Sequence, residues 1–151
     1  MTVHMIKLSV GSTSIETLAA YQQGLAQQRG QESLPAFADH ITRMSPRQKE
    51  AVLDGGSIYW VIKGIIQCRN TIVDLAETHT QDGRKACRIV LAPDLVPVVP
   101  TPKRAFQGWR YLKPEDAPAD LSSIGDGEKL RVIGALSWWN WVLGDQSFRL
   151  K

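Results

Sequence analysis

His40 and Asp54 are the side chains whose types best suit acid–base chemistry: an imidazole that titrates near neutrality and a carboxylate. They are the candidate catalytic pair, should the fold unite them. The plainer alternative is a half-buried histidine and an aspartate that caps a turn. The chain has three histidines, His4, His40 and His79, and none lies in an HExxH, GxSxG, Walker or GxGxxG context. Gly55-Gly56-Ser57 leads into a strand and does not open a helix, so it is not a phosphate cradle. Cys68 and Cys87 are the two cysteines, and neither their mutual spacing nor that of the histidines matches a metal site. The expectation is no metal, no cofactor, and two reduced, buried thiols.

Binding chemistry is better represented than catalysis. Tyr59, Lys63, Gln67 and Arg69 alternate along one stretch, as a polar strand face would. Two cations and an amide there suit phosphates or a carboxylate, and the phenol suits stacking on a base. The alternative is an ordinary solvated sheet face. Arg104, Phe106, Trp109, Arg110 and Tyr111, with Lys103 before them, interleave charge and rings. Such a segment tracks a single strand, with phosphates on cations and bases on rings. Alternatively, Phe106 and Trp109 anchor a strap to the core. Trp138, Trp139 and Trp141 cannot all face one core, which points to a homodimer or protein partner through Trp138 and Trp141.

The chain of 151 residues fits one domain, 1–151, with the tail 127–151 of uncertain structure. Its 43% hydrophobic and 22% charged residues exclude wholesale disorder. A net charge of +3 and a pI of about 9.0 permit an anionic partner without demanding one. The first ten residues lack a secretory pattern, and no segment approaches the ~20 apolar residues that cross a bilayer. The expected location is the cytoplasm.

The positioning elements follow from periodicity. Val3–Val10 reads as a strand with His4, Ile6, Leu8 and Val10 toward the core. Thr13 and Glu16 have capping-box spacing before a helix from about Ser14 to Gln28, with Gly30 as its stop. Asp39–Met44 is a short strand. Ser45-Pro46 predicts a second helix ending at Leu53, before the turn at Asp54-Gly55-Gly56. In Ser57–Val73, Ile58, Trp60, Ile62, Ile66, Cys68 and Ile72 fall on alternate positions. That predicts one bent strand or two strands, with Gly64 at the bend. Asp82-Gly83 turns a hairpin into a strand over Lys85–Ala92. The prolines between Leu95 and Pro118 forbid a central strand and favour edge structure.

Three stretches carry a family resemblance: His40-Ile41-Thr42-Arg43-Met44-Ser45-Pro46; Asp54 to Gly64 with Ile66 and Arg69; and Phe106-Gln107-Gly108-Trp109-Arg110-Tyr111-Leu112. They resemble the bacterial family called domain of unknown function 1489, found mainly in alphaproteobacteria, and the similarity runs from Met1 to about Leu121. The tail departs from that pattern, with tryptophans where the family has a short leucine-rich helix. The resemblance implies a cytoplasmic bacterial protein and assigns no activity. The Tyr59-Trp60-Val61-Ile62-Lys63 strand is also similar to strands of small RNA-binding barrels of the PUA-like group.

The expectation is an α+β fold with a mixed or mainly antiparallel sheet and two or three helices, with closure into a small PUA-like barrel as one option. The function read first is a non-enzymatic binding module for nucleic acid or another polyanion. The alternatives are an enzyme acting on a small anionic substrate and a protein-interaction module using the terminal tryptophans.

Overall fold

In the computed structural model, residues 1–9, 11, 14–31 and 38–125 are described. Thr13 of the expected capping box and all three C-terminal tryptophans lie outside them. The described chain forms a mixed seven-stranded sheet with two α-helices, an α+β arrangement.

In chain order the elements are β1 (His4–Leu8), α1 (Ile15–Gln31), β2 (Ala38–Thr42), α2 (Lys49–Leu53), β3 (Ser57–Ile62), β4 (Ile65–His79), β5 (Lys85–Leu91), β6 (Val96–Pro102) and β7 (Trp109–Leu112). Two short 3-10 turns follow, at Pro114–Asp116 and Leu121–Ser123. The strand order is β2-β5-β4-β3-β1-β7, and β6 also pairs with β4. β1 runs parallel to β3, and every other pairing is antiparallel.

β4 organises the sheet. Its 15 residues pair with β3 and β6 along the first half and with β5 along the second. Register shifts interrupt it between Ile66 and Cys68 and between Ile72 and Asp74. Such irregularities bend a strand and strengthen its twist. The sheet therefore curls, but the edge strands β2 and β7 are not paired with each other, and among the described residues no barrel closes.

The long alternating segment resolves into two strands. Lys63 (φ 54°) and Gly64 (φ 78°) form the two-residue tip between β3 and β4, the conformation of a hairpin turn. Because Gln67 is the extra residue against β3, Ile66 pairs with Val61 while Cys68 pairs with Trp60. Ile66 is thereby turned away from the face it was expected to share with Ile58, Trp60, Ile62, Cys68 and Ile72.

Both faces of the central strands are buried. The larger core joins Met5, Val52, Ile58, Trp60, Ile62, Ile72 and Ile89, with Leu18 of α1 above them. The smaller core joins Ile6, Tyr59, Val61, Ile66, Val98 and Leu112, with Phe106 and Ala117 packed against it. A single core-facing stripe on β1 was expected from His4, Ile6 and Leu8. Instead Met5 and Ile6 are both fully buried, because covers lie on either side of the sheet.

Helix boundaries differ from the sequence reading for physical reasons. Ser14 caps α1, its hydroxyl accepting the Thr17 N–H at 3.1 Å. Gly30 does not stop this helix, since an interior glycine costs only about 1 kcal/mol. α2 starts at Lys49 and not at Pro46, and the Gln48 N–H is held by the Tyr111 hydroxyl at 3.0 Å. The prolines 97, 100 and 102 lie in β6, an edge strand, as their missing N–H groups require. At the α2–β3 junction Gly56 donates to the Val52 carbonyl at 2.9 Å. A Cβ there would collide with backbone carbonyl oxygens of Val52 and Val3, so only glycine fits.

One buried polar network ties α1 to the sheet. Asn70, fully buried, accepts from the Trp60 indole at 2.8 Å and from the Gln22 amide at 3.0 Å. It donates back to Gln22 at 2.8 Å and to the Ala92 carbonyl at 2.9 Å.

Candidate functional site

A cleft opens in the seam where the sheet fails to close, between the β2 end and β7. It measures about 650 Å³ and is lined by Lys7, Arg43, Met44, Trp109, Arg110 and Tyr111, with Ile41, Thr42, Gln107 and Gly108 completing the wall. Register explains the grouping. Lys7 pairs with Trp109 on one side and with Trp60 on the other, so it shares a sheet face with both indoles. The Trp109 indole N–H donates to the Met44 carbonyl at 2.8 Å, and its ring meets Tyr111 edge-on with centroids 4.9 Å apart. Together with the Tyr111–Gln48 bond, this brings β7 against the segment after β2.

Among the described residues the cleft lining contains three cations and no carboxylate. Lys7 is half-buried, and loss of solvent pulls its pKa below the usual lysine value. An entering anion relieves that penalty. Arg43 also borders a second cleft of about 330 Å³ beside Lys49 and Lys85, so the basic surface continues around β2. Glu77 lies on that second cleft, with a carboxylate oxygen 3.9 Å from the Lys85 ammonium. Arg110 is exposed, stands 5.6 Å from the Phe106 ring centroid, and is oriented by the Gln107 carbonyl at 3.1 Å. Tyr111, Met44 and Ile41 are exposed apolar or aromatic surface at the rim.

The other polar group read from sequence is dispersed. Tyr59 is buried in the smaller core, and desolvation raises its pKa while Arg69 pulls the other way. Gln67, at the bulge, is buried and donates to the Ile62 carbonyl at 2.9 Å. Arg69 is engaged by Asp120 through two hydrogen bonds of 2.8 Å each, and by the Ser57 hydroxyl at 2.9 Å. That bond raises the Arg69 pKa and lowers the Asp120 pKa. The expected solvated face is therefore covered by the chain from Phe106 to Asp120. Lys63 alone of the four is exposed, at the hairpin tip. Lys103 joins it there, its N–H bonded to the Gly64 carbonyl at 2.9 Å, and exposed Arg104 follows.

His40 and Asp54 are not brought together. Asp54 lies beside the N-terminal end of β1, where it accepts from the Met1 amino group at 3.2 Å and from Thr2. His40 lies toward the other end, near Ser9 and Trp60. Burial, with the field of Lys7, lowers the His40 pKa to about 4 despite the opposing pull of Asp39. His4 also has a lowered pKa, through desolvation first and Arg69 second, and its Nδ1 accepts the Ser57 N–H at 3.0 Å. Among the described residues, no group of three or more His, Cys, Asp or Glu side chains converges as a metal site. No helix among them is long and apolar enough to cross a membrane.

Lys7 and Arg43 escaped the sequence reading. Lys7 occupies an alternate position with Val3 and Met5 on β1, which marks it as facing inward with them. A lysine in that row was the available signal. Arg43 carried none, because only the curl of the sheet brings the end of β2 opposite β7.

No curated protein and no solved structure is significantly similar to the chain. The profile described as "Protein of unknown function (DUF1489)" matches residues 5–132, a range that contains the cleft wall, the β3–β4 hairpin and β7. The chain belongs to that family.

Proposed function

We propose that this protein is a non-enzymatic binding module for single-stranded nucleic acid or a comparable polyanion, with the β2–β7 cleft as its contact surface. The observation that carries this reading is the cleft lining itself: Lys7, Arg43 and Arg110 beside Trp109 and Tyr111, with no carboxylate among the described residues. Cations suit the phosphates of a flexible strand, and rings suit its unpaired bases.

Charge distribution supports it. The segments Val3–Ile15, Ser57–Val73 and Leu95–Lys113 contain no Asp or Glu, yet contribute Lys7, Lys63, Lys103, Arg104 and Arg110. The hairpin tip and the strap into β7 extend the basic surface beyond the cleft. Free, buried Cys68 and Cys87 fit a reducing, cytoplasmic setting.

The test is a fluorescence-anisotropy titration with single- and double-stranded RNA and DNA at two salt concentrations. Wild type runs beside Lys7→Ala/Arg110→Ala and Lys63→Ala/Lys103→Ala. Binding to single strands should weaken with salt and fall by about tenfold or more in the cleft variant, with a smaller loss at the tip. Absence of binding at low salt removes this reading.

A further inference from the structure

Three strand ends meet at one end of the sheet. β1 runs parallel to β3 with Leu8 level with Val61, and the Ser9 N–H reaches the Val61 carbonyl at 2.9 Å. β7 runs antiparallel to β1 with Trp109 level with Lys7. The end of β1, the β3–β4 tip at Lys63 and Gly64, and the start of β7 therefore lie together. The Lys103 N–H is bonded to the Gly64 carbonyl at 2.9 Å, which seats the strap beside the tip before it enters β7. Trp60, Lys7 and Trp109 stand level across three neighbouring strands, and Lys63 lies a few residues beyond Trp60. Strand spacing and rise then put the tip roughly 15 Å from Trp109.

The two places differ in chemistry. The cleft combines cations with the Trp109 and Tyr111 rings. The tip exposes Lys63, Lys103 and Arg104 without a ring, because Phe106 packs against the smaller core. Arg110 joins them, lining the cleft while it stands 5.6 Å from the Phe106 ring centroid. Ser57–Val73 and Leu95–Lys113, which build the tip and the strap, contain no Asp or Glu.

That difference selects the ligand at each place. An unpaired base has no ring to stack on at the tip, whereas cations bind phosphate whatever the pairing. Duplex is the denser target for them, with one charge per about 1.7 Å of its axis. A reach of roughly 15 Å corresponds to about four base pairs along one strand.

We propose that the protein recognises the junction between a single strand and a duplex: the cleft holds the unpaired strand, while Lys63, Lys103 and Arg104 rest on the phosphates of the adjoining duplex. This rests on the cleft binding a single strand and goes beyond it, by assigning a second contact and a shape of ligand.

The test compares three labelled RNAs by fluorescence anisotropy: a stem carrying an unpaired tail, the tail alone, and the blunt stem. DNA versions run beside them, with the tail on either end. The proteins are wild type, Lys7→Ala/Arg110→Ala and Lys63→Asn/Lys103→Ala/Arg104→Ala. Asparagine is used at 63 because it suits the positive φ there. The three tip side chains are exposed, and a thermal scan checks that the variant is folded. Wild type should bind the tailed stem about fivefold or more tighter than the tail, with a steeper salt dependence. The tip variant should bring the two to within about twofold and flatten the salt dependence of the tailed stem, while changing tail affinity little. The cleft variant should weaken the tail and the tailed stem alike. Equal affinities of wild type for tail and tailed stem overturn the junction and leave the cleft reading standing. A junction preference that survives in the folded tip variant also overturns the assignment to these cations. Binding of the stem with or without its tail, and none of the tail alone, removes the cleft reading and the junction with it.

Discussion

Arg69 grips Asp120 through two parallel hydrogen bonds of 2.8 Å, fastening the chain after β7 across the face of the β3–β4 hairpin. Both side chains are partly shielded, at 20% and 32% exposure. Two-point charge-assisted bonds of this kind are stronger and more directional than ordinary surface pairs. Asp120→Ala leaves the guanidinium with only Ser57. Its expected cost is about 2 kcal/mol, seen as a melting point lower by roughly 4–8 °C in a thermal scan. Anion affinity at the cleft should be unchanged, since neither residue lines it.

Among the described residues, Asn70 is the buried polar side chain with the most hydrogen bonds. Asn70→Ala strands the Trp60 indole N–H, the Gln22 amide and the Ala92 carbonyl at once. The expected destabilisation is about 3 kcal/mol or more, measured by urea unfolding. Asn70→Ala/Gln22→Leu should recover part of it, because one of the stranded groups is then removed.

Acid should weaken the fold in two stages. An unfolded histidine takes up a proton below about pH 6.5, whereas folded His40 resists until about 4. The unfolded chain therefore binds more protons in that window, and stability present above it is lost as pH falls. His40 alone accounts for a loss on the order of 3 kcal/mol, and His4 acts in the same direction. The lowered Asp120 carboxyl adds a further loss below the ordinary aspartate range. Urea unfolding at pH 7.5 and 4.5 should show a smaller difference in His40→Leu than in wild type.

Lys63 adopts a positive φ of 54°, where side chains other than asparagine, aspartate and glycine are disfavoured. Lys63→Asn should raise stability by about 0.5–1 kcal/mol in thermal or urea unfolding. The same variant should lower strand affinity slightly, in keeping with a peripheral cation.

Local patterns were legible wherever neighbours in sequence decided the outcome. The Asp82-Gly83 hairpin, the α2–β3 glycine turn and the edge position of the proline-rich strand follow from backbone chemistry alone. The Tyr59–Arg69 face was misjudged because periodicity locates a polar face but not what folds over it. Phe106, Ala117 and Asp120 come from far along the chain. Ile66 was placed on the wrong face because one extra residue at Gln67 reverses the alternation. Of the site, Trp109, Arg110 and Tyr111 were readable as a basic-aromatic segment. Lys7 and Arg43 became partners only through the curl imposed by β4.

The prolines of β6 have a consequence for life at high concentration. A sheet edge recruits foreign strands by offering alternating donors and acceptors. Pro97, Pro100 and Pro102 delete three of the donors along β6, and Val99 spends its own N–H on the Ala119 carbonyl at 2.9 Å. That border is poor material for templating intermolecular sheets. The protein can keep an open seam between β2 and β7 because its other long border is protected from self-association.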